Sequence, residues 1–351
     1  MIRVAAIGCG DIARRARLPE LRSLAPRAEL IAVAARDRGR LGACAGAFGV
    51  DRIYTDTDEL LAQDDVDAVL VLTPPASHAD LAVDAIAAGK HVLLEKPMTT
   101  TVAEAERIVA ALERSPVVFQ PLPDVDSAEL ATAAGLLQDG VVGTVTGVES
   151  YRGHRGPTHA GWFYRRNVAG GGVLLDLGIY ALTEVARLFG PAERLTALCA
   201  TRFPERRLDD GTPVAVDVED IAMVDLWLEA GIAASVHASW NGSQSHHATR
   251  KRTLVHGREG LLAFGDGGVV VHRADGAYPE GGAPAELEGL AARRYAPPAA
   301  VEGGVVARFI DRIEQGDPDP APVRRQVHVM EQALAAYAAA AGGGARLATR
   351  F

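Results

Sequence analysis

The stretch GGGVLLDLGIY, residues 170 to 180, sets one carboxylate, Asp176, and one phenol, Tyr180, four positions apart in an apolar run opened by three glycines. If the stretch begins a helix, the two side chains share a face, and Gly178 between them leaves space for something flat to approach. A phenol can give or take a proton as a general acid or base, and a carboxylate beside it can orient a hydroxyl or a cation. Taken alone, the stretch favours a plainer reading, a helix start with Asp176 as cap and Tyr180 in the core. Residues elsewhere in the chain shift that balance.

The first is a lysine. Of the 36 Lys and Arg residues only Lys90, Lys96 and Lys251 are lysine. Arg cannot release its proton in a protein and Lys can, so a retained lysine marks a place where a compact or titratable cation is wanted. Lys96 lies in Glu95-Lys96-Pro97. Were such an ammonium to stand beside a phenol, it would lower the phenol pKa from about 10 toward the working pH.

The second is a glycine turn. In AAIGCGDIA, residues 5 to 13, Gly8 and Gly10 follow a strand-like run directly and lead into a helix-like one, with Asp11 and Ile12 next and Ala13 in the third glycine position. This is the arrangement of a dinucleotide site: Gly8 for the tight turn, Gly10 for backbone approach to the pyrophosphate, and the helix N-terminus for its charge. The next strand should end in an acid about 20 residues on if the cofactor is NAD. It ends Ala34-Ala35-Arg36-Asp37. Ala35 replaces the acid, and the Arg36 guanidinium suits a 2′-phosphate, which predicts NADP(H) with NAD(H) still possible. The competing reading takes Asp37 as the ribose acid, one or two positions late.

These residues need a frame. The runs 2–7, 30–35, 68–73, 91–95 and 117–119 are short and β-branched and alternate with helix-like stretches, which predicts a parallel sheet covered on both faces. Thr101 with Glu104 is a capping-box pattern, and Ser77 with Asp80 a weaker one. From about residue 125 strand-like runs (145–151, 221–228, 232–240) follow one another, predicting a mainly antiparallel sheet. Residues 275–304, rich in Pro, Gly and Ala, read as a long irregular excursion, and 322–341 as a final helix.

At 351 residues the chain is long enough for two cores, and 48% apolar with 23% charged residues is a globular composition. No run approaches 18 consecutive apolar residues, so no membrane span is expected. The start MIRVAAIG has no leader pattern, which reads as cytoplasmic. A net charge of −9 gives no footprint for nucleic acid or an anionic membrane. Cys9, Cys44 and Cys199 have neither metal spacing nor an even count, and His154, His159, His246 and His247 lack a metal-site spacing, so no metal is expected.

The order GCGDIA, TPPASH (73–78), AGKHVLLEKP (88–97), GGGVLLDLGIY closely resembles the glucose-fructose oxidoreductase and inositol dehydrogenase family, written Gfo/Idh/MocA, over nearly the whole chain. The resemblance implies an α/β fold: an N-terminal Rossmann dinucleotide-binding domain (1–122), then an α+β C-terminal domain with an open, mainly antiparallel sheet for substrate and oligomerisation (123–320), then a C-terminal helix packing back on the body (321–351). It implies Lys96, Asp176 and Tyr180 as catalytic residues, with Tyr180 standing where many members have His. Gly8, Gly10, Asp11, Ile12, Ala35, Arg36, Thr73, Pro74, His78, Glu95 and Lys96 are expected at the cofactor. The substrate side would use Lys96, Asp176 and Tyr180 with Arg152, Trp162 and Arg165; Arg166 is a further cation there. One departure is the segment Phe119-Gln120-Pro121-Leu122-Pro123, where family members commonly carry an Arg. The implied activity is hydride transfer at a C–O carbon of a sugar, nucleotide sugar or cyclitol by a homodimer or homotetramer. A non-catalytic NADP-binding regulator of the same fold, or a reductase of a dihydrodiol or imine, are the rivals.

Overall fold

The computed structural model describes residues 1–241, 251–265, 267–297 and 304–342, with the backbone of 345–346. The expected histidines His246 and His247 lie outside the described residues. The chain divides into two compact units, Met1–Asp124 with Gly303–Met330, and Val125–Glu302 with Glu331–Phe351.

The first unit holds strands β1 (Ile2–Ile7), β2 (Ala28–Ala34), β3 (Arg52–Tyr54), β4 (Ala68–Val71), β5 (His91–Leu94) and β6 (Phe119–Pro121). They form one parallel sheet in the order β3-β2-β1-β4-β5-β6. All four residues of β4 and the last four of β1 are buried, as a sheet covered on both faces requires. The strand order reverses between β1 and β4, and a crevice outside the carboxyl ends of such strands is where this fold takes nucleotides. Thr101 and Glu104 form the expected capping box on the helix Val102–Arg114. Ser77 stands at the N-cap of the helix His78–Ala87 but makes no side-chain cap bond. Its hydroxyl donates to Thr73 Oγ1 (2.8 Å) and the Pro74 carbonyl (3.0 Å) and so braces the loop itself.

The helix Val305–Gln315 belongs to this unit and corrects the expectation that put it in the domain 123–320. Val306, Phe309 and Ile310, spaced i, i+3, i+4, enter the same buried cluster as Leu18 and Leu21. Glu20 accepts hydrogen bonds from Val306 N (2.7 Å) and Ala307 N (3.1 Å), satisfying the first turn of the helix. The last long helix, Ala321–Gly342, starts and ends close to expectation, and the division between the units falls within it at Met330.

The second unit holds β7 (Val145–Gly153), β8 (Ala192–Ala200), β9 (Glu205–Arg207), β10 (Pro213–Ala215), β11 (Ile221–Leu228), β12 (Ala233–Ser239), β13 (Lys251–Gly257), β14 (Gly260–Phe264), β15 (Val269–Arg273), β16 (Ala283–Leu287), β17 (Leu290–Tyr295) and β18 (Ala345–Arg346). Apart from the small ladder of β9 and β10, they make one sheet in the order β16-β17-β15-β14-β13-β7-β12-β11-β8-β18. It is largely antiparallel, with β12 and β7 paired in parallel. β11 alternates strictly, burying Ala222, Val224, Leu226 and Leu228 and turning Met223, Asp225 and Trp227 outward. β12 follows the same period.

Within the expected irregular stretch 275–304 the structure places the hairpin β16–β17. Its turn is Glu288-Gly289, both with positive φ (51° and 77°), as a two-residue turn between twisted strands demands. Glutamate is not a residue that announces such a turn, and the signal was missing for that reason. The helical run Arg166–Phe189 is long and apolar enough to cross a membrane by composition, yet its apolar window is 72% buried inside the protein, as in a core helix.

Candidate active site

In the first unit, Gly8 has φ +108°, and a Cβ there would stand 2.6 Å from the Leu72 carbonyl oxygen, so the close approach of the ends of β1 and β4 admits only glycine. At Gly10 a Cβ would meet nothing within 4 Å. That open backbone, leading into the helical turns Ala13–Arg17 and Leu18–Ser23, fits a dinucleotide pyrophosphate. Asp11 is ion-paired with Arg15 at 2.7 Å, and Ile12 is exposed beside them. Beyond β2, Ala35 is half-buried and Arg36 exposed. The Asp37 carboxylate accepts from Arg40 N at 2.9 Å and caps the helix Arg38–Phe48, so it is engaged in a structural role.

Thr73, Pro74 and Lys96 are partly exposed, as ligand-facing residues must be. Two other expected cofactor residues are not. His78 is fully buried, with Nδ1 2.8 Å from the Pro97 carbonyl and Nε2 2.7 Å from the Thr73 carbonyl. Burial holds its pKa below the ordinary imidazole range. It sits between the TPPASH loop and the EKP segment, and its one N–H can donate to either of the two carbonyls. Glu95 is likewise buried, accepting from Arg17 Nε at 2.7 Å and from Lys96 N at 3.1 Å, so it positions the backbone of Lys96 and is not exposed for a ligand. Nothing in the sequence marks Arg17, because its partner lies 78 positions away.

In the second unit the glycine run is tight. A Cβ on Gly171 would lie 2.1 Å from the Tyr337 hydroxyl, and one on Gly172 would lie 1.9 Å from the Glu219 carbonyl oxygen. Glu219, buried, accepts from Gly172 N (3.0 Å), Leu174 N (3.1 Å) and Tyr337 Oη (2.9 Å) and so caps the start of the helix from another strand connection. The first turn, Leu174–Gly178, is π-helical and passes into the α-helix Ile179–Phe189. Such turns are frequent at functional sites. Asp176 lies in the π turn and Tyr180, half-buried, in the first α turn.

Asp176 Oδ2 accepts from Trp240 Nε1 at 3.0 Å, and His154 Nε2 stands 3.8 Å from the same oxygen. Tyr164 meets the Trp240 ring edge-on, with centroids 5.5 Å apart, and its hydroxyl donates to the Pro157 carbonyl. Gly178 does not leave the expected gap. A Cβ there would meet Leu174 Cδ1 at 2.6 Å and Ala238 Cβ at 3.4 Å, so the missing side chain lets the helix lie close on β12. Arg152 is also corrected: its guanidinium is buried in an ion pair with Glu184 and bonded to the Tyr151 carbonyl, closed to a substrate. Arg165 and Arg166 are exposed, each 3.9 Å from an acid, Asp217 and Glu219 respectively. Trp162 is half-buried and stacks on Phe163 at 3.8 Å. Among the described residues no three His, Cys, Asp or Glu side chains are grouped for a metal.

Residues 2–122 match the profile of the oxidoreductase family with an NAD-binding Rossmann fold, and residues 130–263 match the GFO/IDH/MocA C-terminal domain. Over 287 residues the chain is 31% identical to a D-apiose dehydrogenase of Paraburkholderia graminis, covering 81% of this chain and 73% of that protein. It is 36% identical over 190 residues to a dTDP-3,4-didehydro-2,6-dideoxy-alpha-D-glucose 3-reductase of Actinomadura kijaniata, covering 54% of this chain and 56% of that one, little more than half of either. The crystal structure of an aldose-aldose oxidoreductase from Caulobacter crescentus, complexed with glycerol, is similar with a TM-score of 0.80 at 25% identity over 99% of both chains. A six-stranded nucleotide-binding sheet with an open Gly10 turn, followed by a largely antiparallel sheet carrying the glycine-led helix, makes this chain a member of the Gfo/Idh/MocA family of nicotinamide-dependent oxidoreductases.

Proposed function

We propose that this chain is an NADP(H)-preferring dehydrogenase or reductase that moves a hydride between the nicotinamide and a C–O carbon of a sugar, nucleotide sugar or cyclitol, interconverting a secondary alcohol and a ketone. The observation that carries the reading is the seating of Asp176: a carboxylate on a π turn, held by the Trp240 indole N–H, one helical step before a half-buried Tyr180. The sugar-directed activities of the D-apiose dehydrogenase and the dTDP-sugar 3-reductase support a carbohydrate substrate.

A nicotinamide cofactor, when bound, would supply or accept the hydride. Tyr180 Oη gives or takes the proton at the reacting oxygen, the Lys96 ammonium favours the phenolate form, and Asp176 orients the substrate hydroxyl. Thr73 and Pro74, both partly exposed, would lie along a bound cofactor. Arg36, beyond an alanine-ended β2 and next to an aspartate already used as a helix cap, supports a bound 2′-phosphate. Arg165 and Trp162 are the remaining candidates for substrate contact. The three free cysteines suit a reducing, cytoplasmic setting.

The test is a screen of D-apiose, myo-inositol and dTDP-linked keto sugars with both cofactors, followed by NADPH absorbance, with cofactor affinities titrated in parallel. Turnover of at least one carbohydrate is expected. NADPH should bind at least about tenfold more tightly than NADH, with Arg36→Ala erasing most of the difference. Tight NADPH binding with no turnover of any carbonyl or polyol would replace the enzyme with a cofactor-binding regulator. Equal affinities would remove the role given to Arg36.

A further inference from the structure

We propose that His154 is a positioning residue that holds the Asp176 carboxylate in one rotation through its Nε2–H; this rests on the reading of Asp176 given above. His154 directly follows β7, and its backbone N–H donates to the Ser239 carbonyl at the end of β12 at 3.1 Å. It is thereby fixed to the strand that leads into Trp240. Its Nδ1 accepts a hydrogen bond from Gly156 N at 2.8 Å. A ring nitrogen that accepts carries no proton, so this bond assigns the hydrogen of the neutral ring to Nε2, the atom that faces Asp176 Oδ2.

The turn that sets this tautomer is specific. Gly156 has φ +89°, and a Cβ there would stand 3.1 Å from Tyr164 Oη and 3.4 Å from Trp240 Cβ, so glycine alone lets the 154–156 turn fold against the aromatic pair. Trp240 Nε1 and His154 Nε2 therefore converge on a single oxygen, Oδ2, from β12 and β7. Two donors aimed at one oxygen fix the rotation of the carboxylate about its Cβ–Cγ bond. The aspartate side chain is 11% exposed and the histidine 26%, so solvent screens the contact only weakly. The separation of 3.8 Å is about 0.8 Å beyond an ordinary N–H···O bond. Contacts of this kind are often long before the substrate arrives and tighten in the reacting complex.

Two substitutions separate the contacts of the ring. In His154→Asn the amide stands where Nδ1 does and can accept from Gly156 N, but falls short of Asp176; in His154→Gln it reaches the place of Nε2 and can donate to the carboxylate. With D-apiose and NADP as the probe, His154→Asn should lower kcat about tenfold with KM changed much less, and His154→Gln should recover most of that loss. In an Asp176→Asn background His154→Asn should cost nothing more. Retention in Asn with loss in Gln would mean that the ring serves only the Gly156 turn, and overturns the proposal. Full turnover by Asp176→Asn would overturn the reading of Asp176 itself. A long-range proton–nitrogen spectrum of the full chain with NADPH bound decides the ring contact without any substrate. It should show an Nε2-protonated ring whose Nε2 resonance moves in Asp176→Asn; an Nδ1-protonated ring, or an unmoved resonance, overturns the proposal whatever the probe.

Discussion

Tyr180→Phe removes a single oxygen and keeps the ring, so it isolates the proton-handling role. NADPH binding should survive and kcat should fall by about 10² to 10⁴, the usual worth of general acid–base catalysis. Lys96→Met should also lower kcat. If phenol and ammonium act as one unit, the double variant should lose much less than the product of the single losses. Steady-state kinetics with parallel NADPH titration is the measurement, and near-normal turnover in Tyr180→Phe would return that ring to the packed core. At this scale the sequence singles out residue types that are chemically scarce: three lysines in an arginine-rich chain, one carboxylate and one phenol in an apolar run. It was not legible where a residue works through a remote partner. Arg17 meets Glu95 across 78 positions and Trp240 meets Asp176 across 64, and no spacing rule connects residues on different elements. His78 and Glu95 stand in the expected segments, but which side of a loop a side chain takes is set by packing. Both turn inward to brace Thr73, Pro97 and Lys96.

At the scale of elements, the helix that carries Asp176 and Tyr180 depends on an acid from outside it. Burial holds the Glu219 carboxyl above the ordinary range, against the hydrogen bonds from Leu174 N, Tyr337 Oη and Gly172 N. A raised native pKa means that the folded chain binds this proton more tightly than the unfolded one. The stability it contributes is therefore full below the unfolded value of about 4.3 and is lost as pH rises through the native value. Glu219→Gln cannot titrate. Thermal melts should show the unmodified protein losing ground to the Gln variant as pH rises from about 4 toward neutrality; a difference in Tm that does not change with pH would place Glu219 at an ordinary carboxyl pKa. The glycines of this helix show how far pattern reading reaches. Glycine at 171, 172 and 178 signals close approach, and close approach is what the structure has. What approaches is Tyr337, the Glu219 backbone and Leu174 with Ala238, where the sequence suggested a ligand beside Gly178. The π turn itself has no sequence signature, since the same apolar spacing serves an α-helix.

For the molecule as a whole, the strand and helix alternation before residue 122 gave the parallel sheet, while its partner helix at Val305–Gln315 was hidden by distance along the chain. The second sheet raises the question of assembly. Leu198 (55% exposed), Met223 (44%) and Trp227 (36%) all point outward from β8 and β11. Met223 pairs in register with Leu198, and Trp227 with Arg194, whose guanidinium lies 4.6 Å from the indole centroid. Clustered apolar side chains on a sheet face mark a contact surface, and a stable dimer needs about 1,200–2,000 Å² of total burial, which a broad ten-stranded sheet can offer. We therefore expect a dimer or tetramer that uses this face. Arg194 over Trp227 supplies a cation and an aromatic ring, the kind of pair enriched at the centre of interfaces. Placing charges there, with Leu198→Asp and Met223→Asp together, should dissociate the assembly while leaving the folded sheets intact, because both side chains already face outward. Light scattering at micromolar concentration with circular dichroism as the check on folding tests this. A stable monomer in the unmodified protein, or an assembly that survives both charges, would move the contact to another surface and leave these three side chains as exposed apolar residues of the sheet.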